Sequence, residues 1–214
     1  MVLSLITLAA TVPLLATSTM QLSEQAQSTS TRAEEEIKTE KCHFLARASP
    51  RMSEKRRQQF ADMILVLRGG RVFLRHKDYA DHHPVTGYFL PFPEQSHEGL
   101  VTTINEENFL NWIYIGSSTY RVKHGIRVEA QAQLTGPMDL VFSKSGEKRL
   151  SFEGWEGFVA VEEEADQWAL YFDKDDNGLK EKTKGRPVVE LELVRMDLDE
   201  YKPKQTTQDE TNSS

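Results

Sequence analysis

Apolar and polar positions alternate in short runs through most of this chain, with a two-residue period that predicts strands. Met63-Ile64-Leu65-Val66-Leu67 is a solid apolar run of the buried-strand kind, and Val72-Phe73-Leu74 follows after Arg68-Gly69-Gly70-Arg71. A Gly-Gly pair between two such runs predicts a tight hairpin, because both central residues tolerate positive φ. Tyr88-Phe89-Leu90, Leu100 to Ile104, and Trp112 to Ile115 continue the series; Gly116-Ser117-Ser118 then turns the chain into Thr119 to Val122. The clearest alternation is Ile126, Val128, Ala130, Ala132 and Leu134 on one face with Arg127, Glu129, Gln131 and Gln133 on the other. It predicts a strand with one wet face, broken by Gly136-Pro137.

Further strands are expected at Leu150 to Phe152, Phe158 to Glu162, Trp168 to Phe172, and Val188 to Arg195. In the third pair of runs, Trp168, Leu170 and Phe172 share one face and Ala169 and Tyr171 the other, so both faces are apolar. That pattern predicts a central hairpin whose aromatics are core. Together the runs predict an all-β, mainly antiparallel domain of about ten strands over residues 42–201, either one barrel or a two-sheet sandwich. No internal repeat is visible. Helix is expected only briefly: over Ala33 to Lys38, and within 52–59, which fits either one or two helical turns or an exposed loop.

Outside this domain the pattern changes. Residues 2–17 carry no charge, residues 19–41 form a polar linker, and residues 202–214 a polar tail expected to be disordered. The apolar segment, residues 1–18, fits a cleaved secretory signal, with Ala16 and Ser18 as small residues before the cut. It also fits a membrane-associating tether or an apolar tail on a cytosolic protein, since no basic residue precedes it and Pro13 interrupts it. The one glycosylation sequon, Asn212-Ser213-Ser214, lies at the end of the chain.

Charge adds a second layer. The chain of 214 residues has a net charge of −7, which gives no general attraction to nucleic acid, and none is expected as a partner. Its charges are segregated. Residues 47–77 hold nine Lys or Arg, including Arg47, Arg51, Arg68 and Arg71, against Glu54 and Asp62; from Ser151 onward acids outnumber bases. Either the two parts attract each other within the fold, or each is a solvated or partner-binding face. The lone cysteine, Cys42, permits no internal disulfide and opens an apolar stretch that predicts a buried thiol.

Three stretches carry candidate chemistry. Asp173-x-Asp175-x-Asn177-Gly178, with the Leu179 carbonyl and Glu181, matches the first part of a calcium loop: oxygens at alternate positions converge and the glycine permits the bend. Lys184 stands where the closing bidentate Glu belongs, and the preceding element is a strand, so an acidic β-turn is the plain reading. His76, Asp78, Asp81, His82 and His83 crowd together without fixed ligand spacing. Glu153 and Glu156 flank Trp155 in the Gly-rich run Glu153-Gly154-Trp155-Glu156-Gly157; paired carboxylates beside an aromatic are the equipment of a glycoside hydrolase, but nothing sets their separation, and a turn that buries Trp155 is the plain reading. No nucleotide, dinucleotide, nucleophile-elbow or zinc motif is present.

LNWIY (110–114), LTGP (134–137), FEGWEGFVAVEE, WALYFDKDDNGLK and VVELELVR resemble an uncharacterised protein family of filamentous ascomycete fungi over roughly residues 42–195. The resemblance implies a fungal source and a single β domain, and carries over no catalytic residue. The leading functional expectation is a non-enzymatic β-domain binding or interaction protein without a cofactor. The alternatives are a calcium-assisted carbohydrate-binding module and a hydrolase using Glu153 or Glu156.

Overall fold

The computed structural model describes residues 32–79, 83–104 and 109–201. The apolar N-terminal segment, most of the linker, the C-terminal tail, and Asp81 and His82 lie outside the described residues. The chain divides into two compact units, Met1–Glu40 and Lys41–Ser214. The first contributes helix α1 (32–39), which carries the Arg32–Glu36 ion pair at i,i+4. No helix among the described residues is long and apolar enough to cross a membrane.

Among the described residues, the second unit contains thirteen strands. Six of them close a barrel: β1 (Cys42–Ala48), β5 (Thr86–Pro91), β6 (Glu98–Thr103), β9 (Met138–Phe142), β10 (Lys148–Phe152) and β13 (Val188–Asp197). β1 pairs with β5, β5 with β6, β9 with β10, and β10 with β13; β6 runs beside β9. The seam closes where β13 pairs along all of β1, from Cys42↔Asp197 to Ala48↔Leu191.

Three hairpins cover one end: β2 (Met63–Arg68) with β3 (Arg71–His76), β7 (Leu110–Ile115) with β8 (Val122–Gly125), and β11 (Phe158–Glu164) with β12 (Gln167–Phe172). They meet one another through Ala169↔Phe73, Arg71↔Lys123 and the Arg121↔Tyr171 bridge. The remaining strand, β4, is two residues, His83–Pro84, beside β2. The chain thus repeats strand, hairpin, strand three times, although its sequence shows no repeat. What recurs is the pattern of inward apolar positions. Leu65, Ile113 and Leu170, one from each hairpin, meet Leu100, Met138 and Leu150 of the barrel around a residual cavity of about 10 Å³.

The barrel form, the buried hairpin of β11 and β12 and the Gly69-Gly70 turn agree with the sequence reading; both glycines have positive φ, 55° and 73°. The short helix expected within 52–59 is α2 (Glu54–Gln59), capped by the Ser53 side chain. Cys42 is buried.

The strand expected over Ile126 to Leu134 is not formed. Arg127–Ala130 is a helical turn, α3, and Ile126 and Val128 are exposed. The Glu129 carboxylate accepts the Ile126 N–H at 3.1 Å, and Ala130 and Gln131 close helical bonds to Ile126 and Arg127. Glu, Ala and Gln favour helix, and here that local preference overrides the two-residue period. A strand absent from the reading, β9, follows Gly136-Pro137 directly.

Candidate functional site

The strand β10 ends at Phe152, and the chain reverses through Glu153 and Gly154, both at positive φ (51° and 84°). Phe152 and Trp155 exchange backbone hydrogen bonds of 3.0 and 3.2 Å across this bend. The bend forms as expected, but the burial of Trp155 expected with it does not occur. Trp155 remains 36% exposed. One edge meets Phe172, with ring centroids 5.6 Å apart and planes at 71°. The ring also lies over Gly157, where a Cβ would sit 2.3 Å from Cζ2.

Two bonds stitch this bend to the acidic loop after β12. The Asp173 N–H donates to the Gly157 carbonyl at 2.7 Å, and the Lys174 ammonium lies 3.2 Å from Glu153. Two sequence motifs read separately therefore share one place. Between them opens a cavity of about 380 Å³, walled by Trp155, Glu156, Asp173 and Asp176, by Glu190 and Glu192 of β13, and by Ser49 to Arg51 after β1.

A row of alternating charges meets this cavity through Glu192 and Glu156. Arg47 makes a bidentate contact with Glu147 (2.6 and 2.7 Å) and reaches Glu192 at 2.7 Å. Arg149 bonds Glu192 at 2.7 Å and lies 3.2 Å from Glu156. The order is Glu147, Arg47, Glu192, Arg149, Glu156. Burial pushes the Glu156 carboxyl above the ordinary carboxylate range, opposed by Arg149 and reinforced by Glu192. At the other end, hydrogen bonding from Arg47 pulls Glu147 below it. The basic 47–77 segment and the acidic C-terminal part do attract each other within the fold, through Arg47 and Glu192 here and through Arg71 and Glu163 in the hairpin cap.

The proposed calcium ligands take separate roles. Asp173 is 6% exposed, and its carboxylate accepts three backbone N–H groups: Asn177 at 3.2 Å, Gly178 at 2.6 Å and Leu179 at 3.4 Å. Asp175 hydrogen-bonds Tyr120, whose phenol is raised by burial first and then by that carboxylate. Glu181 belongs to the helical turn α4 (Lys180–Thr183). Among the described residues, no group of three or more His, Cys, Asp or Glu side chains is arranged to hold a metal ion. In the histidine-rich stretch, His76 lies 3.9 Å from Asp78, while the His83 ring bonds the Thr103 carbonyl at 2.9 Å.

Of the two glutamates flanking Trp155, Glu156 lines the cavity and Glu153 turns to Lys174. The sequence reading missed Glu190, Glu192, Arg47 and Arg149. The first two were visible as the polar face of VVELELVR, since Val189, Leu191 and Leu193 point into the core.

The model of a fungal beta-trefoil domain family matches residues 17–199. That description fits the threefold run of strand, hairpin and strand around a barrel, and it agrees with the resemblance to fungal proteins. No curated protein and no solved structure matches the chain.

Proposed function

The chain belongs to the fungal beta-trefoil domain family, and on that premise we propose a non-enzymatic binding function, with the cavity beside Trp155 as the carbohydrate site. The observation that carries this reading is the partly exposed indole at the wall of a carboxylate-lined cavity of about 380 Å³. An indole face packs against the C–H face of a sugar ring, and neighbouring carboxylates accept its hydroxyl protons. Glu156, Asp176 and Glu190 supply those acceptors.

Calcium is not required in this reading, because Asp173 holds its own loop. Nor do Glu153 and Glu156 act as the paired carboxyls of a glycosidase. Those must face one glycosidic bond, whereas Glu153 is held by Lys174 and Glu156 by Arg149.

The test is calorimetric titration of the folded protein with a panel of neutral oligosaccharides. Binding is expected to weaken about tenfold or more in Trp155→Ala, a loss typical of a central aromatic contact. Equal affinity in Trp155→Ala, or no saturable binding at millimolar oligosaccharide, overturns the assignment.

A further inference from the structure

A second cavity, of about 260 Å³, lies in the hairpin cap between the turn of β2 and β3 and the turn of β11 and β12. Arg68 and Arg71 stand on one side of it, Glu163, Glu164 and Gln167 on the other, and Phe73 on its wall. Arg68 lies over the Phe73 ring (6.0 Å) and reaches Gln167 at 3.2 Å.

Beside it, Arg121 is inserted between two aromatic rings, 5.9 Å from Phe73 and 5.6 Å from Tyr171. Its side chain is 13% exposed, and its buried Nε has no hydrogen-bond acceptor. One carboxylate serves this group. Glu163 accepts the Tyr171 hydroxyl at 2.7 Å, contacts Arg121, and lies 3.9 Å from Arg71.

Positive charge gathers behind the cavity wall. Arg68 and Arg71 face Glu163 and Glu164 across the cavity, and Arg121 behind them, with Arg186 near it, adds further positive charge in a chain whose net charge is −7. Burial holds the Arg121 guanidinium below its ordinary range; Tyr171 opposes this, and the charges of Arg71 and Arg186 add to it. A like-charged group kept this close without enough counter-charge is relieved by an added anion. Guanidinium forks suit tetrahedral oxyanions, which they bind through paired N–H donors.

We propose that the cavity between the two hairpin turns binds the oxyanion of a sulfate or phosphate ester, with Arg71 and Arg68 as its direct donors and Arg121 holding the positive field behind them. Both rim arginines are exposed, so they turn inward without unfolding anything. This site is separate from the Trp155 cavity and does not depend on its ligand.

The test titrates the full chain with inorganic sulfate and inorganic phosphate up to 10 mM against sodium chloride at matched ionic strength, reading backbone amide shifts and the melting temperature. Saturable shifts centred on Gly69, Gly70 and Gln167 are expected. Arg71→Ala should weaken them about tenfold or more, as loss of a charged hydrogen-bond donor does. Arg127→Ala, which removes the same charge from an arginine paired with Glu94 on α3, should leave them unchanged. Methyl sulfate and methyl phosphate then distinguish the two esters. No saturable shift, equal affinity in Arg71→Ala, or an equal loss in Arg127→Ala overturns the proposal.

Discussion

Trp155 lies directly over Gly157, so closely that a Cβ on the glycine would sit 2.3 Å from ring carbon Cζ2. The glycine is what lets the indole rest on the backbone instead of standing away from the cavity. Gly157→Ala therefore displaces the ring. Because the indole is partly exposed it tilts outward, and the stability cost stays near ~1 kcal/mol, the low end for overpacking. Oligosaccharide affinity should fall nearly as far as in Trp155→Ala. Titration calorimetry beside thermal unfolding separates the two effects; unchanged affinity would show that the pose of Trp155 does not set binding.

Asp173 holds the loop it begins. Three backbone N–H groups point at one nearly buried carboxylate, and removal of that acceptor strands all three. Asp173→Ala should cost about 2–3 kcal/mol, in line with charged hydrogen bonds left unmade. The same geometry predicts that millimolar calcium and a chelator give the same melting temperature. A ligand at 100 times its Kd would stabilise by about 2.7 kcal/mol, so a saturable rise with calcium would contradict the turn reading.

Strands with solid apolar runs were legible in the sequence because their composition leaves no other use for them: Met63 to Leu67, Phe158 to Val161 and Trp168 to Phe172 are all buried strands. The threefold plan was not legible. Leu65, Ile113 and Leu170 play similar parts, but the plan requires only an inward apolar side chain at each place, so the three thirds keep no common sequence. Alternation alone misled at Ile126 to Leu134, where helix-forming residues and a backbone bond to Glu129 decided the outcome. At the site, the residues of the 153–157 bend and the acidic loop stood out. Their meeting did not, because it rests on two contacts between residues far apart in sequence, Asp173 to Gly157 and Lys174 to Glu153.

The two ends of the charge row should respond oppositely to acid. Glu147 is lowered in the folded state by Arg47. Its contribution is present above the ordinary carboxylate pKa of 4.5 and lost as pH falls through the lower folded value. Glu156 is raised by burial. Its contribution is present below 4.5 and lost as pH rises through the higher folded value. Glu147→Gln should therefore destabilise at pH 7 by an amount that shrinks toward pH 3. Glu156→Gln should be neutral or stabilising at pH 7, with its advantage vanishing below pH 4.5. Melting temperatures of both variants across that range check the signs.

Phe172 connects the core to the cavity. It is fully buried, and Phe152, Phe158 and Trp155 meet it edge-on at 5.0, 5.2 and 5.6 Å. Phe92 is a matched control: it is 2% exposed and packs on Trp112 at 4.6 Å, in a different cluster with Tyr114 and Ala130. Truncating either ring to alanine should cost about 3–5 kcal/mol, read from urea unfolding. Only Phe172→Ala removes a support of Trp155, so only that variant should also weaken oligosaccharide binding when measured where both remain folded. Phe172→Leu, which fills more of the gap, provides the same contrast if the alanine variant does not fold. Equal losses of affinity in the Phe172 and Phe92 variants would mean that binding follows global stability and not the placement of the indole.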